Sequence, residues 1–290
     1  MVTNGTVTAA EYGPGFSEID TCTIPLSDSL ALRISSDTAP SKWKTTGLQK
    51  GLRLIFNGTE MVGEGVGFGV PVLLCSGKPY FSGSSRLYLY AKNDLKVIRK
   101  EFVMDRVPNR LIGRIELHNR LMIAFWKYLD DIYMKHRRLR FIVNLSLSKR
   151  IGIRTGFSEV HPIGKIAISY HINRKHIHVK VDPTLSNNGE PTKMIMLNEQ
   201  GAGLFRRYSE GNGRELIDKG IGAWERVDAD SASMTDIRGA FGFNLKREKD
   251  SLLIRGREFI KGFQDWAGIE HEISSRDVHA FEYDIEILGV

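Results

Sequence analysis

Apolar and polar residues alternate along most of this chain. Leu30, Leu32 and Ile34 interleave with Ala31, Arg33 and Ser35, and near the far end Phe281, Tyr283, Ile285 and Ile287 interleave with Glu282, Asp284 and Glu286. A period of two is the mark of a strand with one face on a core and the other in water. Runs of this kind predict strands over residues 70–75, 79–82, 86–91, 95–104, 141–147, 165–172, 177–181, 193–197, 221–227, 240–245, 251–254 and 281–288. The sharpest turn signal is Asn57-Gly58, between Arg53–Phe56 and Thr59–Val62. A type I′ turn needs positive φ at both central residues, and Asn-Gly tolerates it, so a hairpin is predicted there. The cluster Ser82-Gly83-Ser84-Ser85 predicts a second turn.

One stretch breaks the pattern. From Pro108 to about Arg138, Leu111, Ile115, Met122, Phe125, Trp126, Leu129, Ile132 and Tyr133 recur at the helical spacing, and Lys135 to Arg138 suit the negative end of a helix dipole. This predicts one inserted helix over about 109–137. A shorter helix is expected at Phe259–Gln264. No regular alternation of strand and helix is present, which excludes a Rossmann fold or a TIM barrel. The expected fold is mostly β: a large antiparallel β-sandwich with one inserted α-helix. Residues 1–24 are expected to form an N-terminal arm and residues 25–290 a single domain.

Composition changes this picture little. Hydrophobic residues make up 41% of the 290, enough for a sizeable core, and the 29 glycines show no repeat, which points to turns and bulges. Gly63, Gly65, Gly67 and Gly69 fall at every second position. Such a bare strand face meets another backbone or a ligand closely. Their spacing is neither the dinucleotide fingerprint nor a P-loop. The formal charge of +7 spreads 41 basic against 34 acidic residues. Its one dense cluster, Lys135 to Arg140 with Lys149, Arg150 and Arg154, makes residues 135–154 the candidate nucleic-acid surface, although a helix end collects such charges anyway. Cys22 and Cys75 make no disulfide framework; Cys75 reads as a buried hydrophobe and Cys22 as exposed. No signal peptide or membrane-length apolar run is visible, so a cytoplasmic location and no membrane contact are expected.

Three constellations carry chemistry. In the segment 166–181, pairing Ile172 with Ile177, Tyr170 with Val179 and Ile168 with Val181 keeps one face apolar. The same register sets His171 opposite His178, with Cβ atoms about 4.5–5.5 Å apart. Such a pair suits proton transfer, and the plain alternative is two solvent-facing histidines. No third ligand accompanies them, so no metal is assigned, and nothing calls for a cofactor. The second is Asn198-Glu199-Gln200 at the end of an apolar run before Gly201, with Glu199 the first-ranked carboxylate. The third is Trp224-Glu225-Arg226. Glycoside chemistry uses two carboxylates about 5–10 Å apart, and Glu199 with Glu225 is one such candidate pair. Trp224, Asn198, Gln200 and Arg226 are the candidate substrate-binding residues.

The succession of strands, the glycine-rich pairs at Gly63–Gly69 and Gly239–Gly242, and Ile221-Gly222-Ala223-Trp224-Glu225 resemble the β-supersandwich of galactose mutarotase-like proteins, in particular prokaryotic or archaeal members. The same architecture serves as a domain of polysaccharide lyases and some glycoside hydrolases. The resemblance implies carbohydrate binding or sugar-ring chemistry in a concave cleft, with a histidine acid and a glutamate base. By residue type these would be His171 or His178 with Glu199 or Glu225. A carbohydrate, or another small polar ligand, is then the expected partner. Three functions stand: a carbohydrate-active enzyme of epimerase-like or lyase-like chemistry, a non-catalytic carbohydrate-binding or interaction module, and a nucleic-acid binder.

Overall fold

The computed structural model describes residues 16–36, 48–63, 65–75, 77–92, 95–112, 115–116, 153–186, 191–222, 224–260, 264–274 and 281–289. The first strands are β1 (Ser17–Glu18), β2 (Thr21–Pro25), β3 (Leu30–Ser35), β4 (Arg53–Phe56), β5 (Thr59–Glu60), β6 (Gly67–Cys75) and β7 (Lys78–Lys92). Next come β8 (Leu95–Ile112), β9 (Ile115–Glu116), β10 (Ile153–Glu159), β11 (Gly164–Asn173), β12 (His176–Leu185), β13 (Pro191–Gln200) and β14 (Arg207–Glu210). The last are β15 (Glu215–Ile217), β16 (Glu225–Arg226), β17 (Ser231–Thr235), β18 (Gly242–Lys246), β19 (Ser251–Ile260), β20 (Gln264–Ser274) and β21 (Phe281–Leu288). A single 3-10 turn at Asp218–Gly220 is the one helical element among the described residues.

Among the described residues all strand pairings are antiparallel, and they build two layers. The first layer runs β1, β7, β8, β11, β12, β21, β18, β17, β14, β15. The second runs β6, β13, β20, β19, β16. A four-stranded sheet, β2 to β5, joins the second layer through a bridge from Leu52 to Phe68. β7 belongs to both layers. Its first residues pair with β6 and the rest with β8, with register shifts at Phe81, Ser82 and Ser84 where it crosses over.

The core lies between the layers. Phe68 of the second layer meets Phe243 of the first edge-on at 5.0 Å. Tyr170 of β11, fully buried, donates its hydroxyl to the carbonyls of Phe68 and Gly69 at 3.0 and 3.1 Å. Gly69 has φ +73°, and a Cβ there would stand 2.7 Å from the Tyr170 hydroxyl. Glycine is needed twice over at this crossing, for its backbone and for the approach. Where β8 faces the small sheet, the buried Lys100 donates to the carbonyls of Ser35 and Lys50 at 2.7 and 2.6 Å. These bonds solvate a charge that the core would otherwise exclude.

The antiparallel β-sandwich expected from the alternation is therefore the fold. The Asn57-Gly58 hairpin forms, with φ 48° and 77°, and the register of β11 on β12 pairs His171 with His178 as anticipated. Several local expectations give way to pairing. Asn109–Ile112 extend β8 against β10, and Ile115–Glu116 form β9, so the start of the expected helix is sheet; residues 117–137 lie outside the described residues. Phe259 pairs with Asp265 and Ile260 with Gln264, so both ends of the short helix expected at 259–264 are strand, and residues 261–263 lie outside the described residues. Ser82–Ser85 is the crossover within β7, not a turn. The arm joins the sheets from Ser17 onward, and Cys22, inside β2, is buried like Cys75. The predicted strand 141–147 and nearly all of the basic region 135–154 lie outside the described residues. Among the described residues no helix is long and apolar enough to cross a membrane.

The Gly69 approach can be tested against a reference site. Gly58 also has positive φ, but a Cβ there meets nothing within 4 Å. Gly58→Ala should cost about 1 kcal/mol of unfolding free energy in urea, from backbone strain alone. Gly69→Ala should cost roughly 1–3 kcal/mol more, from the added collision with Tyr170. Equal losses would remove the close approach as a constraint.

Candidate functional site

In a strand, the direction of one residue sets that of the next. Asn198 of β13 is fully buried, and its Oδ1 accepts hydrogen bonds from the Gly69 amide at 3.0 Å and the Tyr283 hydroxyl at 2.9 Å. Its side chain lies between the layers, so Glu199 faces the opposite side of the second layer. The same alternation applies on the next two strands. Arg255, Arg257, Ala267, Ile269 and His271 turn inward, which leaves Gly256, Glu258, Trp266, Gly268 and Glu270 on the face of Glu199.

The register assembles these residues into a strip. Glu199 stands opposite Gly268, Gly268 opposite Gly256, Trp266 opposite Glu258, and Glu270 opposite Ile254. A Cβ on Gly268 would come within 2.9 Å of the Glu199 Cγ, and one on Gly256 within 2.7 Å of the Trp266 ring. The two bare positions let Glu199 and Trp266 lie down against the sheet. Trp224 sits just before β16 at φ +58°, with its ring 5.2 Å from that of Trp266 and 45% of the residue exposed. The strip thus runs from the exposed Trp224 and the half-buried Trp266 to a pair of carboxyl groups.

Those carboxyl groups are buried, Glu199 at 7% exposure and Glu270 at 2%. Burial pushes Glu199 up to about 7. An amide hydrogen bond from Val66, at 3.3 Å to Oε2, and a hydrogen bond with Glu270 hold it down, while the nearby Glu258 adds to the rise. Glu270 is driven well above the carboxylate range, first by burial and then by the charge of Glu199, their shared hydrogen bond and Glu272. Two carboxyl groups in contact cannot both ionise readily. Glu270 therefore holds the proton and Glu199 accepts the hydrogen bond. The Glu270 Oε2 has no hydrogen-bond partner. Such a pair both donates and accepts protons near neutral pH.

The candidates from the sequence divide. Glu199 and Trp224 lie in this strip, and the exposed Arg226 is on the edge strand of the same face, opposite Ile254. Asn198 and Gln200, expected to bind substrate, point into the core instead; the Gln200 Oε1 faces the Leu54 amide at 3.5 Å. Glu225 is engaged by Arg255, whose Nη1 and Nη2 donate to its Oε2 at 3.0 and 2.9 Å. The carboxyl partner of Glu199 is Glu270, in hydrogen-bond contact, and not Glu225.

His171 and His178 belong to the first layer, away from Glu199. Their ring centroids are 5.9 Å apart. His178 Nδ1 is 2.9 Å from Asp284 Oδ1, and its Nε2 is 3.6 Å from Glu282. The His171 imidazolium is disfavoured by partial burial, then by His178 and Lys180. Among the described residues no group of three or more histidine, cysteine or carboxylate side chains is placed to hold a metal ion. His271 is a core residue. Its Nδ1 is 3.1 Å from Ser251 Oγ, and burial lowers it to about 3, so it stays neutral.

The sequence reading missed Glu270, Gly256 and Gly268. A signal for two of them existed. Over β20 the alternation of Trp266, Gly268, Glu270 and Glu272 with Ala267, Ile269, His271 and Ile273 is a strand pattern. It is masked by the histidine on the inner side and the tryptophan on the outer.

No protein-family model matches this sequence, and no curated protein matches it. Among solved structures, the chain is similar to the α-N-acetylgalactosaminidase NagBb of Bifidobacterium bifidum in complex with GalNAc, at 7% identity and a TM-score of 0.48 over 92% of this chain and 36% of that one. It is also similar to the heparan sulfate lyase HepC of Pedobacter heparinus, at 8% identity and a TM-score of 0.46 over 98% of this chain and 36% of that one. A third is the Slr1438 protein of Synechocystis sp. PCC 6803, at 9% identity and 0.41 over 93% and 96%. The chain spans about a third of the length of the first two. Nothing in such distant likenesses assigns an activity to it.

The raised Glu199 has a consequence for stability. Against an ordinary value of 4.5 in the unfolded chain, the folded chain keeps the proton up to about pH 7. Between those values the folded state binds more protons, so this group's contribution is full below about pH 4.5 and declines as pH rises through 7. The decline amounts to roughly 3 kcal/mol. Glu199→Gln should remove it, so the variant should gain on the parent by that order between pH 4.5 and pH 8 in urea unfolding. Parallel stability curves would show that Glu199 titrates normally.

Proposed function

We propose that this is a carbohydrate-active protein whose proton-transfer group is the Glu199–Glu270 pair and whose sugar platform is Trp266 with Trp224. The observation that carries this reading is the joining of the two on one strip. Indole faces give a sugar ring an apolar surface, and a carboxyl pair with one shared proton lies beside them. An ionised Glu199 takes a proton from a sugar hydroxyl, while the proton held by Glu270 is available to a second oxygen. In ring opening of a hemiacetal, these are the anomeric hydroxyl, which loses its proton, and the ring oxygen, which gains one as its bond to the anomeric carbon breaks. That places the reading with the epimerase-like chemistry that the sequence suggested, with a second glutamate where a histidine was expected.

A specific observation favours a second reading. Trp224 is exposed and Trp266 half-buried while the carboxyl groups are almost fully covered, as in a module that binds sugar without transforming it.

One panel of oligosaccharides separates the two. For an enzyme, Glu199→Gln should lower kcat by at least about 100-fold with binding retained, and Trp266→Ala should weaken binding. In the parent, the rate should rise with pH through about 7 as Glu199 ionises. A binding module gives no turnover with any sugar, and its Trp266→Ala variant still loses affinity. Unchanged binding in Trp266→Ala and in Trp224→Ala would end both readings.

A further inference from the structure

We propose that the sugar taken by this site carries no anionic group: it is a neutral or an amino sugar, and uronic acids and sulfated sugars are rejected. This rests on the carbohydrate reading above and adds to it the charge class of the substrate.

The distribution of charge around the strip supports it. Glu199, Glu258, Glu270 and Glu272 all occupy outward positions on β13, β19 and β20. Glu258 and Glu272 are close enough to raise their neighbours in the pair, Glu258 acting on Glu199 and Glu272 on Glu270. A carboxylate or sulfate on a bound sugar would meet these groups in a partly desolvated setting, where like charges repel more strongly than in water. It would also push Glu199 further toward its protonated form and so take away the base.

Among the described residues, the groups that recognise anionic sugars are turned elsewhere. A carboxylate or sulfate is best held by the two-pronged guanidinium of arginine. Two arginines, Arg255 and Arg257, lie on β19 beneath the strip, and both point inward. Arg255 spends its terminal nitrogens on the Ile221 carbonyl and Glu225. Arg257 spends its own on the carbonyls of Phe205 and Ala202. On the outer face, Lys193 is ion-paired with Glu272. Arg226 stands at the edge strand, separated from Glu270 by β19. A cationic amino group on the sugar, by contrast, finds carboxylates within reach.

The test uses the full chain and matched sugars. Binding is measured by calorimetry at low salt for oligosaccharides of glucose, galactose and mannose, each as the neutral, the 2-amino and the 6-carboxylate form. In whichever series binds, the 6-carboxylate form should bind at least tenfold more weakly than the neutral form, and the 2-amino form at least as tightly. Salt should narrow the gap, and so should the double variant Glu258→Gln, Glu272→Gln, which leaves the pair itself in place. Equal or tighter binding of the 6-carboxylate form, with the neutral form still bound, would overturn the charge inference and leave the carbohydrate reading standing. Binding of none of the nine would overturn the carbohydrate reading and this inference with it.

Discussion

The side-chain amide of Asn198 is the constraint from which the site follows. It lies fully buried between the layers, and its oxygen satisfies two donors at once: the Gly69 amide on the neighbouring strand and the Tyr283 hydroxyl across the core. A buried donor left unpaired costs about 1–3 kcal/mol, so β13 is held facing one way. The register shift against β6 falls between Leu197 and Asn198, where the strand adjusts to bring the amide to Gly69. With Asn198 inward, Glu199 has only the outer face to occupy. Its carboxyl then meets Glu270 from the adjacent strand.

The second layer inverts a common distribution of charge. The two arginines of β19, Arg255 and Arg257, are on the inner side, and four glutamates are on the outer. The arginines are held there by backbone carbonyls, Glu225 and Asp218, which take up most of their donors. The glutamates have fewer partners. Glu199 receives one amide hydrogen from Val66, and Glu270 depends on Glu199 itself. A carboxyl group so poorly solvated keeps its proton, and two in contact share one. The glycines opposite each other at 256 and 268 complete the arrangement, because any side chain there would lift Trp266 and Glu199 off the sheet.

How much of this was legible varies with the range of the interaction. The hairpin at Asn57-Gly58 was readable because its conformation is decided by two residues. The partnership of His171 with His178 was readable because a tight turn and one apolar face admit a single register. Glu199 was visible as a carboxylate at the end of an apolar run, and Trp224 as an aromatic in a glycine-rich stretch. Glu270 was not visible, since it is 71 positions away in the chain and next to it only after β13 and β20 have paired. Helical spacing misled at 109–112 and 115–116, and the helix expected at 259–264 has strand at both its ends, because partner strands outweigh local preference there. Ser82–Ser85 looked like a turn because serine and glycine also suit a strand that must cross between layers.

By itself, then, the amino-acid sequence determined the class of fold: an alternation of period two over most of the chain needs no knowledge of partners and specifies sheets with one buried face. It also determined the hairpin at Asn57-Gly58 and the one that pairs Ile172 with Ile177, for a local reason. The tertiary structure alone decided which strands from distant parts of the chain lie side by side. That choice separated the histidines from Glu199, gave Glu225 to Arg255, and set two glutamates and two tryptophans on one strip. Proton affinity and burial depend on neighbours through space, and no pattern along the chain carries that information.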